Sequence, residues 1–226
     1  MRVGTALSVP GAFFAELLGR HFDFVWIDLE HGALGPADMQ DALIGAQAAG
    51  AEALVRIPLG ASFAPSLDAG ADGIVVPRVR CAREAESAVR RLRHAPEGAR
   101  GYGPRRLAVR SRADQPRCVV QIEDLAGVHA SAEIAGVEGV SALVVGVADL
   151  SFELGEPLVL DAPPLRSAID AVRAAATAAG VQFGLAGLPA ADAASAAADL
   201  VVVSSDVRLL DRALAAAAGT ARAGAA

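Results

Sequence analysis

Short apolar runs alternate along the whole chain with longer stretches whose apolar residues recur at helical spacing. The runs at residues 3–9, 22–28, 53–57, 73–76, 118–122, 142–145, 181–185 and 200–203 are almost continuously apolar. A strand with one face in water alternates apolar and polar residues. A strand covered on both faces does not, so these eight segments predict a buried parallel sheet. Between them, residues 10–18, 35–49, 63–69, 82–94, 126–135, 164–179, 190–197 and 207–217 predict helices. Pro10 and Pro36 stand where a missing N–H costs a helix little, and Gly50 supplies a stop. Residues 98–112, rich in glycine and arginine, read as a loop, as do residues 146–163 with Asp149, Gly155 and two prolines. Eight strands alternating with eight helices predict an α/β fold, and the count favours closure into a (β/α)8 barrel over an open doubly wound sheet. A single domain over residues 1–220 is expected, followed by a frayed Ala/Gly tail at 221–226.

Composition narrows the picture. The chain has 226 residues, enough for one barrel with short loops, and 54% of them are hydrophobic, which supplies an ample core. The formal charge of -6 argues against a nucleic-acid-binding surface. Arginines cluster at 90–93 and 100–112, either as solvated helix and loop or as a cationic rim for an anionic substrate. Two cysteines, Cys81 and Cys118, build neither a disulfide framework nor a metal cluster, so reduced thiols and a cytoplasmic location are expected. The first residues do not read as a signal peptide, and no uncharged apolar stretch is long enough to span a membrane.

Chemistry in a barrel collects at the carboxyl ends of the strands. The second strand ends in Asp28-Leu29-Glu30-His31-Gly32, the third in Arg56, the fifth in Gln121-Ile122-Glu123 and the sixth in Gly146-Val147-Ala148-Asp149. Glu123 and Asp149 are candidate ligands for a hard divalent cation, which prefers carboxylate oxygens; the alternative is that each caps the helix after it. His31, with an ordinary pKa near neutrality, is the candidate general base, against a structural or merely exposed histidine. Arg56 interrupts an apolar strand. It either binds a substrate oxyanion or forms a structural ion pair with Glu52 or Asp28. Asp28 and Asp68 are acids able to orient His31, although Asp68, ahead of Ala69-Gly70, also reads as a helix-end contact. No lysine ends a strand, which disfavours a Schiff-base mechanism.

The segments FDFVWIDLEHG (22–32), ALVRIP (53–58), LDAGADGIVVPRV (67–79), ARGYGPRR (99–106), VVQIED (119–124) and VEGVSALVVGVADLS (137–151) resemble, in this order, the HpcH/HpaI aldolase family of metal-dependent pyruvate aldolases. The resemblance implies a TIM barrel. It implies His31 as general base, Asp68 as the acid that raises its basicity, and Arg56 as the stabiliser of an enolate oxygen. Glu123 and Asp149 become the metal ligands, with Mg²⁺ expected and Mn²⁺ or Co²⁺ as alternatives. Gln121, Gly146, Ala148 and Asp149 become the pocket for a 2-oxo acid, whose partner substrate is an aldehyde. A homo-oligomer, a hexamer or trimer of dimers that exchanges the C-terminal helix, is also implied. Two competing readings remain. One is a citrate-synthase-like or decarboxylating enzyme of the same superfamily acting on oxaloacetate; the other is a non-catalytic barrel that binds a carboxylate.

Overall fold

The computed structural model describes residues 1–103, 106, 115–156 and 158–223. Arg105, Arg110 and Arg112 of the loop cluster, and residues 224–226 of the expected tail, lie outside the described residues. The eight strands are β1 (Arg2–Leu7), β2 (Phe24–Asp28), β3 (Glu52–Arg56), β4 (Gly73–Val76), β5 (Arg117–Ile122), β6 (Val140–Gly146), β7 (Gln182–Leu188) and β8 (Leu200–Ser205). Each pairs in parallel with the next, and β8 pairs with β1, so the sheet closes into a barrel. The helices are α1 (Ala12–Gly19), α2 (Pro36–Ala48), α3 (Ala64–Asp68), α4 (Ala82–Leu92), α5 (Leu125–His129), α6 (Ser131–Ala135), α7 (Val147–Glu153), α8 (Pro163–Ala179) and α9 (Asp206–Ala223).

Four elements differ from the sequence expectation. The helix expected over 126–135 is broken at Ala130, whose φ of -89° and ψ of 2° end α5 and begin α6. The segment after β6, expected as a loop, enters α7 directly from Gly146, so Asp149 lies in a first helical turn. The segment at 190–197 forms a 3-10 turn, Ala190–Ser195. The closing helix also runs past 217 to Ala223, into the expected tail.

Strand register stacks the inward-facing side chains in layers, each drawn from alternate strands. At the amino-terminal end, Arg2, Glu52, Arg117 and Gln182 form a polar ring. Arg2 Nη1 donates to Glu52 Oε2 at 2.6 Å, Arg117 Nη1 to the same oxygen at 3.1 Å, and Arg117 also donates to Gln182. Above the ring lies a dry plug built from Phe24, Leu54, Val119, Trp26, Val75, Val144 and Val202, all buried. The next layer up is Ala6, Arg56, Gln121 and Ala186, where charge enters the barrel again. The opposite faces of the strands, with Ile27, Val55, Ile74, Ile122, Leu143 and Val201, pack under the helices. Each large side chain fully buried there contributes roughly 1.5–3 kcal/mol. Both faces of every strand are therefore buried, which is why the runs read as unbroken apolar segments.

Candidate active site

The mouth is assembled from strand ends. At the end of β2 the chain turns through Glu30, His31 and Gly32; a side chain on Gly32 would collide with the Asp28 carbonyl, so the turn needs glycine there. Asp28, only 4% exposed, organises this corner. Its Oδ1 accepts from the backbone N–H groups of Glu30 (3.0 Å) and His31 (3.2 Å). The same carboxylate grips Arg56 from β3 in a fork, with Nε to Oδ1 at 2.9 Å and Nη2 to Oδ2 at 2.6 Å. Burial alone would raise the Asp28 pKa. The Arg56 hydrogen bond and charge, with the two backbone N–H groups, outweigh it and hold the carboxyl below its ordinary range. Burial likewise opposes the Arg56 charge, and Asp28, Glu30 and Glu123 together push its pKa upward, so the guanidinium stays charged. Of the two partners considered for Arg56, Asp28 is the one it takes, while Glu52 belongs to the ring at the other end of the barrel.

Glu30 bridges the corner to the mouth. Its Oε2 lies 3.5 Å from Arg56 Nη1 and 3.8 Å from His31 Nε2. The His31 side chain is 60% exposed, so it is open to solvent and to a bound substrate. Asp68, at the end of α3, accepts instead from Arg100 Nη2 at 3.2 Å and packs against Gly103. The carboxylate that touches the imidazole in this chain is thus Glu30, and the one that fixes its backbone is Asp28.

Across the mouth, Glu123 follows β5 and Asp149 sits in the first turn of α7. Glu123 is 5% exposed, and its Oε2 accepts from the Arg78 N–H at 3.1 Å. Gly146 lets the carboxylate in: a Cβ there would lie 2.7 Å from Glu123 Cγ and 2.8 Å from Oε1. Burial, followed by the charge of Asp149, pushes the Glu123 carboxyl up to about 7, with Arg56 acting against them. A buried carboxylate, Glu123, that feels the charge of the exposed Asp149 carboxylate is what a divalent cation compensates. Among the described residues no group of three or more His, Cys, Asp or Glu side chains converges to hold a metal. The pair therefore fits a hard cation that completes its shell with water and substrate oxygens, and does not fit a closed protein cage.

Trp26, His31, Arg56, Gln121, Asp149 and Ser204 line one cavity of about 190 Å³ at the mouth. Gln121 is 3% exposed, and among the described residues its Oε1 has no hydrogen-bond partner. A larger groove of about 490 Å³ lies outside the barrel, along α8 and the 3-10 turn. Its arginines pair locally, Arg166 with Asp161 at 2.8 Å and Arg173 with Asp170 at 2.6 Å, so its size does not mark it as the site of chemistry. Cys81 and Cys118 are free thiols, and burial pushes Cys118 up to about 12, leaving it protonated and unreactive. No described helix is long and apolar enough to cross a membrane. Sequence reasoning passed over Glu30, although it stands beside His31 at a strand end, and Ser204, which no sequence pattern marks.

Comparison with known proteins agrees with this geometry. Residues 11–218 match the family model described as HpcH/HpaI aldolase/citrate lyase. A hydroxypyruvate/pyruvate aldolase of Rhizorhabdus wittichii is 34% identical over 194 residues, covering 79% of this chain and 76% of that protein. The crystal structure of a HpcH/HpaI aldolase/citrate lyase family protein from Burkholderia cenocepacia superposes with a TM-score of 0.88 at 31% identity, over 98% of this chain and 94% of that one. The citrate synthase SbnG superposes with a TM-score of 0.88 at 28% identity, over 99% of this chain and 94% of its own. A barrel with this mouth, matched over nearly its whole length, belongs to the HpcH/HpaI aldolase/citrate lyase family of carbon–carbon lyases.

Proposed function

We propose that this chain is a divalent-metal-dependent aldolase that cleaves or forms 4-hydroxy-2-oxo acids through a pyruvate enolate and an aldehyde. The observation that carries the reading is the convergence of the Glu123–Asp149 pair, the Asp28-held Arg56 and the exposed His31 on one mouth. Glu123 and Asp149 would hold the cation, Mg²⁺ by preference, with Mn²⁺ or Co²⁺ as substitutes. When bound, the cation supplies Lewis-acid polarisation of the 2-oxo group.

The remaining roles fall to the chain. The N–H groups of Ala148 and Asp149, at the start of α7, receive the carboxylate of the 2-oxo acid, beside Gly146 and Gln121. In cleavage, His31 takes the proton from the C4 hydroxyl, directly or through one water. The electron pair released from the O–H bond forms the aldehyde carbonyl, the C3–C4 bond breaks, and its electron pair passes to C2 and the keto oxygen as an enolate. Arg56, fixed by Asp28 before substrate arrives, stabilises the charge on that oxygen. Protonation at C3 then gives pyruvate. Asp28 and Glu30 position the base and the guanidinium, while Asp68 steadies the loop that carries Arg100.

Likeness to SbnG favours a second reading, in which the same enolate site serves synthesis or decarboxylation with oxaloacetate. Pyruvate release from 4-hydroxy-2-oxo acids, and oxaloacetate decarboxylation, are to be measured with Mg²⁺ and with EDTA, for wild type and His31→Ala. EDTA-sensitive aldol cleavage, strongly reduced in His31→Ala, supports the aldolase. Decarboxylation without cleavage moves the assignment to the second reading, and no turnover with either class leaves a carboxylate-binding barrel.

We also infer self-association through α9. Val207, Leu210 and Leu214 form one apolar stripe on it and are about half exposed, an arrangement that suits exchange of the helix between subunits in a hexamer or trimer of dimers. Sedimentation of wild type against Leu210→Glu/Leu214→Glu tests this: a monomeric variant supports it, and an unchanged assembly contradicts it.

A further inference from the structure

Two hollows flank the groups that carry the chemistry. The first is the cavity of about 190 Å³, walled by Gly146, Asp149, Ala186 and Ser204 from the ends of β6, β7 and β8. The second is a groove of about 240 Å³ between the β3–α3 loop and α4. Round the barrel, His31 follows β2, Arg56 ends β3, Arg78 follows β4 and Glu123 follows β5. The groove therefore opens in the sector between the base and guanidinium on one side and the buried carboxylate on the other. Arg78 joins it to the mouth. Its N–H donates to Glu123 Oε2 at 3.1 Å, and its Nε lies 3.9 Å from the same oxygen. Arg78 lines both the groove and a pocket that it shares with Glu123 and Asp149. A molecule that meets a cation on these carboxylates thus has the groove beside it, past Arg78.

The floor of the groove is apolar: Ile57, Phe63, Val79 and Ala88 are each at most 4% exposed. Leu59, 68% exposed, stands at its rim. The charges along its walls are engaged. Arg91 lies over the Phe63 ring, 3.7 Å from its centroid, and donates to the Ala61 carbonyl. Arg80 donates to Asp124, and its backbone N–H to Glu84 at 2.7 Å. A chain rich in hydroxyls would lose water here and find few partners, whereas an alkyl chain gains by leaving water. The donor acid does not fill this space, because its carboxylate goes to the start of α7, on the other side. The atoms beyond C4 of the aldol come from the acceptor, and C4 carries the hydroxyl that His31 addresses. We propose that the groove is the acceptor subsite, and that it selects aldehydes with an alkyl chain over acetaldehyde and over polyhydroxylated aldehydes. This deepens the aldolase reading and rests on it.

The experiment measures kcat/KM for addition of pyruvate to acetaldehyde, butanal, hexanal and glyceraldehyde, with Mg²⁺-loaded wild type, Leu59→Asp and Ala88→Trp. Leu59→Asp changes an exposed rim residue and leaves the fold intact, while Ala88→Trp fills the floor. In wild type, kcat/KM is expected to rise about fourfold for each methylene that enters the groove, and to be lower for glyceraldehyde than for butanal. Both variants are expected to keep acetaldehyde within twofold of wild type and to lose most of the rise. No rise in wild type overturns the assignment, as does a rise that survives in Leu59→Asp. Hexanol, which binds without reacting, gives a second readout through the methyl NMR resonance of Ala88. A saturable shift in wild type, weakened in Leu59→Asp, is expected. A shift without turnover of any aldehyde sinks the aldolase reading and the acceptor assignment with it. Turnover with neither a shift nor a dependence on chain length overturns the assignment alone.

Discussion

The two ends of the barrel carry comparable charges and use them in opposite ways. At the amino-terminal end, Arg2, Glu52, Arg117 and Gln182 close on one another, with Glu52 taking both arginines. At the carboxyl end, Asp28 and Arg56 are equally well matched, yet the groups around them are not. Glu123 feels the like charge of Asp149, and among the described residues Gln121 Oε1 and Ser204 Oγ have no hydrogen-bond partner. A satisfied polar ring stabilises and excludes; an unsatisfied one stores what a substrate or cation can complete. One layering scheme, repeated from bottom to top, thus yields a seal at one end and a reactive mouth at the other.

The sharpest way to break the comparison is to remove one member of the mouth. Glu123→Ala is expected to lower kcat for aldol cleavage by at least about 10³-fold, since the Lewis-acid contribution is worth several kcal/mol. Circular dichroism should stay native, and a fall of less than tenfold would mean that the pair does not hold the cation. Arg56→Ala is expected to lower kcat/KM by about 10²–10³-fold and also to destabilise the fold by about 3–5 kcal/mol, because Asp28 is left buried and unpaired. Urea unfolding beside steady-state kinetics reads both effects. Arg56→Ala/Asp28→Ala should recover part of the stability and none of the activity.

The pH dependence of stability distinguishes the mouth from the seal. Below about 4.5, the ordinary glutamate value, Glu123 is protonated in folded and unfolded chains alike. As pH rises to about 7 the unfolded chain ionises while the folded site resists, so stability is lost through this window and stays lost above it. The loss is on the order of 3 kcal/mol for the metal-free protein. Mg²⁺ is accordingly expected to raise the Tm more at pH 8 than at pH 6, and Glu123→Gln to abolish the difference. Calorimetry that shows an equal Mg²⁺ effect at both values contradicts this. The smallest effect belongs to the seal: Glu52→Ala is expected to cost about 1–3 kcal/mol by stranding Arg2 and Arg117, with kcat and KM unchanged.

The strands were legible because burial on both faces leaves unbroken apolar runs, and Arg56 was legible because a charge in such a run needs a partner. Its fork with Asp28 follows from strands β2 and β3 being neighbours in register, Asp28 against Arg56. Helix α7 was not legible: Asp149 and Gly155 look like loop residues, although Asp149 is at home in a first helical turn. Asp68 reads as near His31 only if the loop after α4 is ignored, and that loop brings Arg100 to it. Ser204 left no trace in the pattern. Its signal is a left-handed backbone, with a φ of 56°, and a hydroxyl without a partner among the described residues, and neither is written in residue type.

Mn²⁺ titration followed by electron paramagnetic resonance, on wild type, Glu123→Gln and Glu52→Gln, tests the division between the two ends most directly. One bound ion per chain in wild type and Glu52→Gln, with binding lost in Glu123→Gln, is the expected result. Wild-type affinity in Glu123→Gln, or its loss in Glu52→Gln, would contradict the assignment of chemistry to the mouth and structure to the seal.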